Sequence, residues 1–307
     1  MGRFIVRRTL RLAATIAVTV VLMFVAMHVV PGDPALVIAG MDAKPEDLRR
    51  IRHSIGSDRP LGEQMLRWCG DLVNLRLGTS LTSGEEVTRL IVARLPITVS
   101  LALLAMLFSL ALAIPLGVSA ACGRKGGIAS AIATLVSQIG MAVPGFWLGI
   151  ILLLLFAVKL PIFPLFGADT ALHFVLPSMA LGLGHAAVLL RMTRASTEEE
   201  LSRGYVLAAR SRGLPRRRIL YVHVLRNALP PVIALAGVQF GGLLGGAVVL
   251  EQVFSLPGMG RLTLTAITQR DLPVVQGCVI CFAFVFSLSS WLADVLTAAA
   301  NPRIVLE

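Results

Sequence analysis

The chain has 307 residues, of which 56% are hydrophobic and only 15% charged, with a mean hydropathy of +0.82. Soluble domains carry about 25% charged residues, so the composition excludes a water-exposed globular protein and points to a membrane protein. The net charge of +11 does not indicate nucleic acid as a partner, because the arginines are interleaved with apolar runs rather than gathered on a soluble domain.

A crossing helix needs about 20 apolar residues to span a hydrocarbon core of roughly 30 Å. Six runs satisfy this in chain order: 12–30, 97–122, 128–158, 174–190, 228–250 and 274–293. The two longest can tilt or bend at Pro115 and at Pro144-Gly145. The run 174–190 is the shortest and carries His185. Arg7, Arg8 and Arg11 precede the first run as in a secretory leader, but its end reads Val-Ala-Met-His-Val-Val-Pro without a small-x-small cleavage site. It is read as a retained helix.

Six crossings put both termini on one side. That side collects 16 Lys and Arg against four acids, Glu198, Glu199, Glu200 and Glu307, whereas the other face is balanced. The positive-inside rule therefore places both termini in the cytoplasm. The segment 31–95 lies outside, with turns at Pro31-Gly32-Asp33-Pro34 and Gly78. Two helices are expected in it, over 45–55 and 61–75, the second with an apolar stripe of Leu61, Met65, Leu66, Leu72 and Val73.

The inner loop, about 193–227, is basic but written as structure. Ser196-Thr-Glu-Glu199 matches a capping box, predicting a helix through Tyr205, Ala208 and Ala209 that stops at Gly213 as C′ residue. Pro215 suits the start of a second short helix over 216–226, before Pro230-Pro231 opens the fifth crossing. The expected result is a helix–glycine–helix elbow projecting from the membrane.

Around this elbow, Tyr205-Val-Leu-Ala-Ala209-Arg-Ser-Arg-Gly213 and Leu225-Arg-Asn-Ala-Leu-Pro230 resemble the coupling loop of binding-protein-dependent ABC importer permeases, in the dipeptide/oligopeptide/nickel branch and nearest to dipeptide or glutathione-type permeases. Pro31-Gly32-Asp33-Pro34, Leu77-Gly78-Thr79-Ser80, Arg94-Leu-Pro96-Ile-Thr98, Phe163-Pro164 and Leu176-Pro177-Ser178 agree. So do Glu251-x-x-Phe254-x-x-Pro257-Gly258-x-Gly260, Arg270-Asp271-x-Pro273 and Asn301-Pro302-Arg303, so that the resemblance runs the whole chain in order. One departure is Leu207, where the wider superfamily opens its loop motif with an acid.

The resemblance implies an all-α membrane protein of the type I ABC importer permease fold. Its parts would be a first helix over 1–30, an external cap over 31–95, a transmembrane domain over 96–300 and a tail over 301–307. It also implies a bacterial cytoplasmic (inner) membrane location and four kinds of company: a second permease, two cytoplasmic ATPases, an external solute-binding protein and membrane lipid. Tyr205, Ala208, Ala209, Gly213, Leu214, Pro215, Ile219 and His223 would couple to an ATPase. Glu251, Phe254, Pro257, Gly258, Gly260 and Asp271 would form an external gate or a contact for the binding protein, with a loop packed down for stability as the plainer reading. No catalytic residue is expected: a Walker phosphate cradle needs Gly-Lys-Ser/Thr, and no Gly-Lys dipeptide occurs, so ATP and Mg would be bound by the partner ATPases.

Gly237, Gly241 and Gly245 recur every four residues, a spacing for close helix approach and, in the second reading, for lining the pathway. Asp294 suits a salt bridge to an arginine, and His185 suits a satisfied core position. Cys69, Cys122, Cys278 and Cys281 make no disulfide framework, and Cys278-x-x-Cys281 inside an apolar helix suits packing rather than a metal. Nickel or another small solute stays open as cargo, and a gradient-driven secondary transporter is the alternative from another class. That class is expected to show mid-membrane ionisable groups and internal repeats.

Overall fold

The computed structural model describes residues 2–29, 35, 44–123 and 126–300, whose regular structure is helical apart from one isolated bridge between Thr79 and Glu86. The chain forms α1 (Gly2–Val29), α2 (Pro45–Ile55), α3 (Leu61–Val73), α4 (Val87–Cys122), α5 (Ile128–Ala142) and α6 (Gly145–Leu153, prolonged by a wider turn over Leu154–Lys159). Then follow α7 (Leu172–Ser202), α8 (Gly204–Ser211), α9 (Arg216–Val253), α10 (Met259–Thr268) and α11 (Leu272–Ala300). The turn Pro31-Gly32-Asp33-Pro34, Arg124, Lys125 and the tail 301–307 lie outside the described residues.

Among the described residues five helices are long and apolar enough to cross a membrane, and a sixth crossing results when α5 and α6 count as one. The bend expected at Pro144-Gly145 within the run 128–158 is present as a break, the two helices meeting at 102°. Pro144 disfavours the helical region for Val143 before it, and both residues are extended, with ψ of 121° and 134°.

α7 is the hub, packing on α4, α5, α6 and α9, with its largest interface against α4. The helices approach closely because small residues line the seams, the usual device where lipid gives no hydrophobic drive between helices. A Cβ on Gly182 would stand 2.6 Å from the Ala105 carbonyl oxygen, and one on Gly117 2.7 Å from Thr193 Cβ. The Ser109 hydroxyl lies 2.7 Å from both the Ala105 and Gly182 carbonyls, tying α4 to α7. The run 174–190 is short because the helix that holds it continues past Arg191 into the charged stretch up to Ser202.

Two helix boundaries depart from expectation. Ser196 does not cap a helix: it is buried within α7, which runs on to Ser202, and the neighbouring Thr197 hydroxyl bonds back to the Thr193 carbonyl at 2.7 Å. Pro230 and Pro231 do not open a helix but sit inside α9. The carbonyls they leave without an in-helix donor belong to Arg226 and Asn227, which are exposed, so the cost of an interior proline is reduced.

The segment between α1 and α4 also differs in detail. α4 begins at Val87, before the apolar run, and α3 buries no residue. Leu61, Leu66 and Val73 of the expected stripe are exposed, and Trp68 makes the contact instead, its ring centroid 5.8 Å from that of Phe24 on α1. α1 itself packs mainly on α11, where Arg8 pairs with Asp294 at 2.6 Å.

Candidate functional site

The elbow stands on a polar base. Arg203 is extended and breaks α7 from α8; its guanidinium reaches Glu199 and Glu200, each at 2.9 Å. The Tyr205 hydroxyl donates to Glu200 at 2.7 Å. Burial raises the Tyr205 phenol above its usual range, a hydrogen bond with Asn227 opposes this and the bond to Glu200 adds to it, so the hydroxyl stays protonated at neutral pH. Above this base Val206, Ile219 and Val224 form a small buried core, with Tyr205, Ala209 and Leu214 packed on it.

Gly213 ends α8 in the left-handed region, φ +74°. Its N–H bonds to the Arg210 carbonyl at 2.9 Å and that of Leu214 to the Ala209 carbonyl at 3.2 Å, the paired bonds of a Schellman cap. The stop at Gly213 is therefore as the sequence indicates, although the start is not. Arg216 ties the second limb to the end of α4 through the Cys122 carbonyl, 2.7 Å away. Ala208, Gly213 and Pro215 are exposed, His223 is half-buried and Ile219 is in the core. Leu207, Tyr221 and Val222 project outward at 68%, 63% and 53% exposure. Sequence reasoning gave these three no role; the signal was apolar side chains persisting in an otherwise basic segment.

At the opposite end, stretches that are far apart in sequence converge on two buried carboxyl groups. Glu251, fully buried at the end of α9, accepts from the Thr98 hydroxyl at 2.5 Å, from the Arg261 N–H at 3.1 Å and from the Gly260 N–H. Thr98 in turn accepts from the Met259 N–H at 2.8 Å. Glu251 thus caps α10 from another helix, meeting donors that a helix start leaves orphaned. The glycines follow from this: a Cβ on Gly258 would overlap the Glu251 carboxyl, and one on Gly260 would overlap Val248. Phe254 is buried beside them and Pro257 half-buried.

Asp271 receives the loop over 78–86. It accepts from Ser80 Oγ (2.5 Å), Thr82 Oγ1 (2.9 Å) and the Leu81 and Thr82 N–H groups (3.2 and 3.4 Å). Burial raises its pKa, but the bonds from Ser80, Leu81 and Thr82 outweigh burial and hold the carboxyl below the usual aspartate range. Sequence reasoning quoted Thr98 and Ser80 within motifs without assigning them partners; the partners lie more than 150 residues away. All the acidic residues of this predicted set face inward.

The glycine series divides. A Cβ on Gly237 would overlap Ala293 and one on Gly241 would overlap Phe286, both on α11, whereas nothing lies within 4 Å of the position on Gly245. Gly242 and Gly246 meet His185 and Leu181 of α7 at 3.3 and 2.8 Å. His185 itself bonds Gln239 at 2.7 Å. Cys278 is buried among Val87, Val274 and Met259.

Residues 113–306 match the family model of binding-protein-dependent transport system inner membrane components, and residues 1–102 match its N-terminal companion. The chain belongs to this family. It is 38% identical over 304 residues to the glutathione transport system permease protein GsiC of Pectobacterium atrosepticum, covering 99% of each chain. A Brucella abortus protein, provisionally named a peptide transport system permease, is 38% identical over 312 residues, again covering 99% of each. Among solved structures, an inward-facing form of the MetNI methionine ABC transporter matches with a TM-score of 0.56 at 17% identity, over 69% of this chain and 96% of that one. The fold is the type I ABC importer permease fold, and the chain is a multi-pass inner-membrane permease subunit that works with partner subunits. The gradient-driven alternative is left without support.

Proposed function

We propose that this permease forms half of a translocation path for peptides, glutathione-like peptides included. The other half would be a second permease; two cytoplasmic ATPases would bind ATP and Mg, and an external solute-binding protein would deliver cargo. The names of full-length relatives support the cargo class. Charge asymmetry supports cytoplasmic termini and hence a cytoplasmic elbow.

The observation that carries the coupling role is the elbow's construction. A base of Arg203, Tyr205 and Glu200 and a core of Val206, Ile219 and Val224 leave Leu207, Ala208, Tyr221 and Val222 exposed on the elbow, and we read these together as an apolar face. Such a face suits a groove on an ATPase, and a stiff connection to α7 and α9 passes its displacement to the crossings. A transport cycle needs a bistable element on which ATP binding has differential contacts. The external clasp of Glu251 and Asp271 then anchors α10 as the gate or landing surface, acting through backbone position rather than by touching cargo.

The test uses the purified complex in vesicles with a radiolabelled dipeptide or glutathione. Gly213→Val forces a β-branched residue into φ +74°, a conformation costing about 1–2 kcal/mol, while open space around Gly213 leaves packing untouched. ATP hydrolysis without uptake is the expected result; wild-type uptake by this variant defeats the coupling assignment. Gly213→Asn, which tolerates the left-handed region, retains uptake.

A further inference from the structure

His185 has only one of its two ring nitrogens accounted for. Nδ1 lies 2.7 Å from Gln239 Oε1. An amide oxygen only accepts, so Nδ1 carries the proton and the neutral ring keeps its lone pair on Nε2. Among the described residues nothing bonds Nε2, and Nε2 is not sealed in by protein. The Gln239 amide nitrogen is sealed and also without a partner. Gln239 is thus placed to hold the ring and is closed to any ligand, whereas the open acceptor belongs to His185.

The surface that the ring borders is defined by α9. Val238, Gly242, Gly245 and Val249 recur at helical spacing, share one face and are all exposed. A Cβ on Gly242 would stand 3.3 Å from His185 Cε1, the carbon between the two ring nitrogens. The ring therefore edges this open face, and the absence of a side chain at Gly242 leaves it uncovered. Both helices are long and apolar enough to cross a membrane. His185 lies about 20 Å along α7 from Leu172, and Gln239 about 21 Å along α9 from Val253, well inside a core of ~30 Å. An ionisable side chain at such depth is costly toward lipid and faces the bundle interior or a water-filled cavity. A subunit seam closing on Nε2 would have to bring a donor of its own or leave the nitrogen unsatisfied. A translocation path brings donors with what it carries: water, and the ammonium and amide N–H groups of peptides.

We propose that His185 Nε2 is a cargo contact in the translocation path, accepting a hydrogen bond from an ammonium or amide N–H of a peptide. Gln239 is the positioning residue that fixes the ring and its tautomer. The inference rests on the reading of the chain as a peptide permease. Two substitutions separate contact from scaffold. His185→Asn keeps a donor where Nδ1 stands, and so the bond to Gln239, but ends short of Nε2; His185→Gln reaches the Nε2 position and gives up that bond. The complex is assayed in vesicles with radiolabelled dialanine or glutathione and saturating binding protein. His185→Asn lowers uptake per ATP hydrolysed about tenfold, the equivalent of the ~1.4 kcal/mol of one hydrogen bond, and leaves the half-saturating concentration of binding protein unchanged. His185→Gln retains most of the uptake. Any other order, equal uptake by all three included, overturns the proposal and makes His185 scaffold. A second readout is independent of cargo. With the four native cysteines replaced by alanine, His185→Cys in nanodiscs reacts with a charged methanethiosulfonate, which modifies thiols only in water. No reaction places residue 185 against lipid or a subunit seam and overturns the contact. Reaction in a complex that moves neither peptide defeats the peptide reading, and the peptide contact with it, while leaving residue 185 in the path.

Discussion

Glu251 and Asp271 are acids whose value lies in what they organise. Glu251→Ala leaves Thr98 and the first N–H groups of α10 without an acceptor in a buried site, a loss of about 3–5 kcal/mol by comparison with other broken buried polar networks. The thermal unfolding midpoint of the purified complex should fall by several degrees, with Glu251→Gln intermediate because one oxygen still accepts. Asp271 gives a pH signature. Its folded pKa is below the unfolded value near 3.9, so its contribution is complete above that value and disappears as pH falls through the folded one. Amide exchange at Leu81 and Thr82 should therefore be protected at pH 5 and above (~1 unit over the unfolded pKa) and rise below pH ~4; Asp271→Asn should abolish that step. An unchanged step in Asp271→Asn would assign it to another group.

Elements show where sequence is readable and where it is not. Apolar runs located every crossing, since lipid contact acts on composition directly, and Gly213 was legible because only its conformation matters. Helix ends decided by tertiary contact were not. Ser196-Thr-Glu-Glu199 reads as a start, yet α7 runs through it because Thr197 and Ser196 are buried against neighbours. The 102° break at Pro144 was legible in place but not in size, since the angle depends on what α6 packs against. The clasp was visible only as disconnected motifs: nothing in Thr98 or Ser80 names a carboxyl more than 150 residues distant. At this scale Arg216 is the link between elbow and bundle. Arg216→Ala removes the bond to the Cys122 carbonyl, a charged donor worth about 1.5–3 kcal/mol, and should lower uptake per ATP hydrolysed while leaving the unfolding midpoint within a few degrees of wild type. Unaltered coupling stoichiometry would mean that α4 receives no force through this bond.

For the whole molecule, the question is which faces of the bundle are finished within this chain. Around α9 the glycines give a way to ask it. Gly237 and Gly241 are closed by Ala293 and Phe286 of α11, and Gly246 by Leu181 of α7, so three of its positions are sealed inside the subunit; Gly245 meets nothing within 4 Å. A helix whose packed faces are this tight has no reason of its own to keep a glycine where space is open, given the ~1 kcal/mol that glycine costs relative to alanine in a helix interior. A second permease closing on that face, or cargo passing it, supplies the reason. Gly241→Ala should then lower the unfolding midpoint of the isolated subunit, because Phe286 must move. Gly245→Ala should leave that midpoint unchanged or raise it, yet weaken pairing with the second permease or slow uptake. If Gly245→Ala affects neither co-purification nor transport, the face is lipid-exposed and α9 does not border the path. If it lowers the midpoint of the subunit alone, the series is packing throughout.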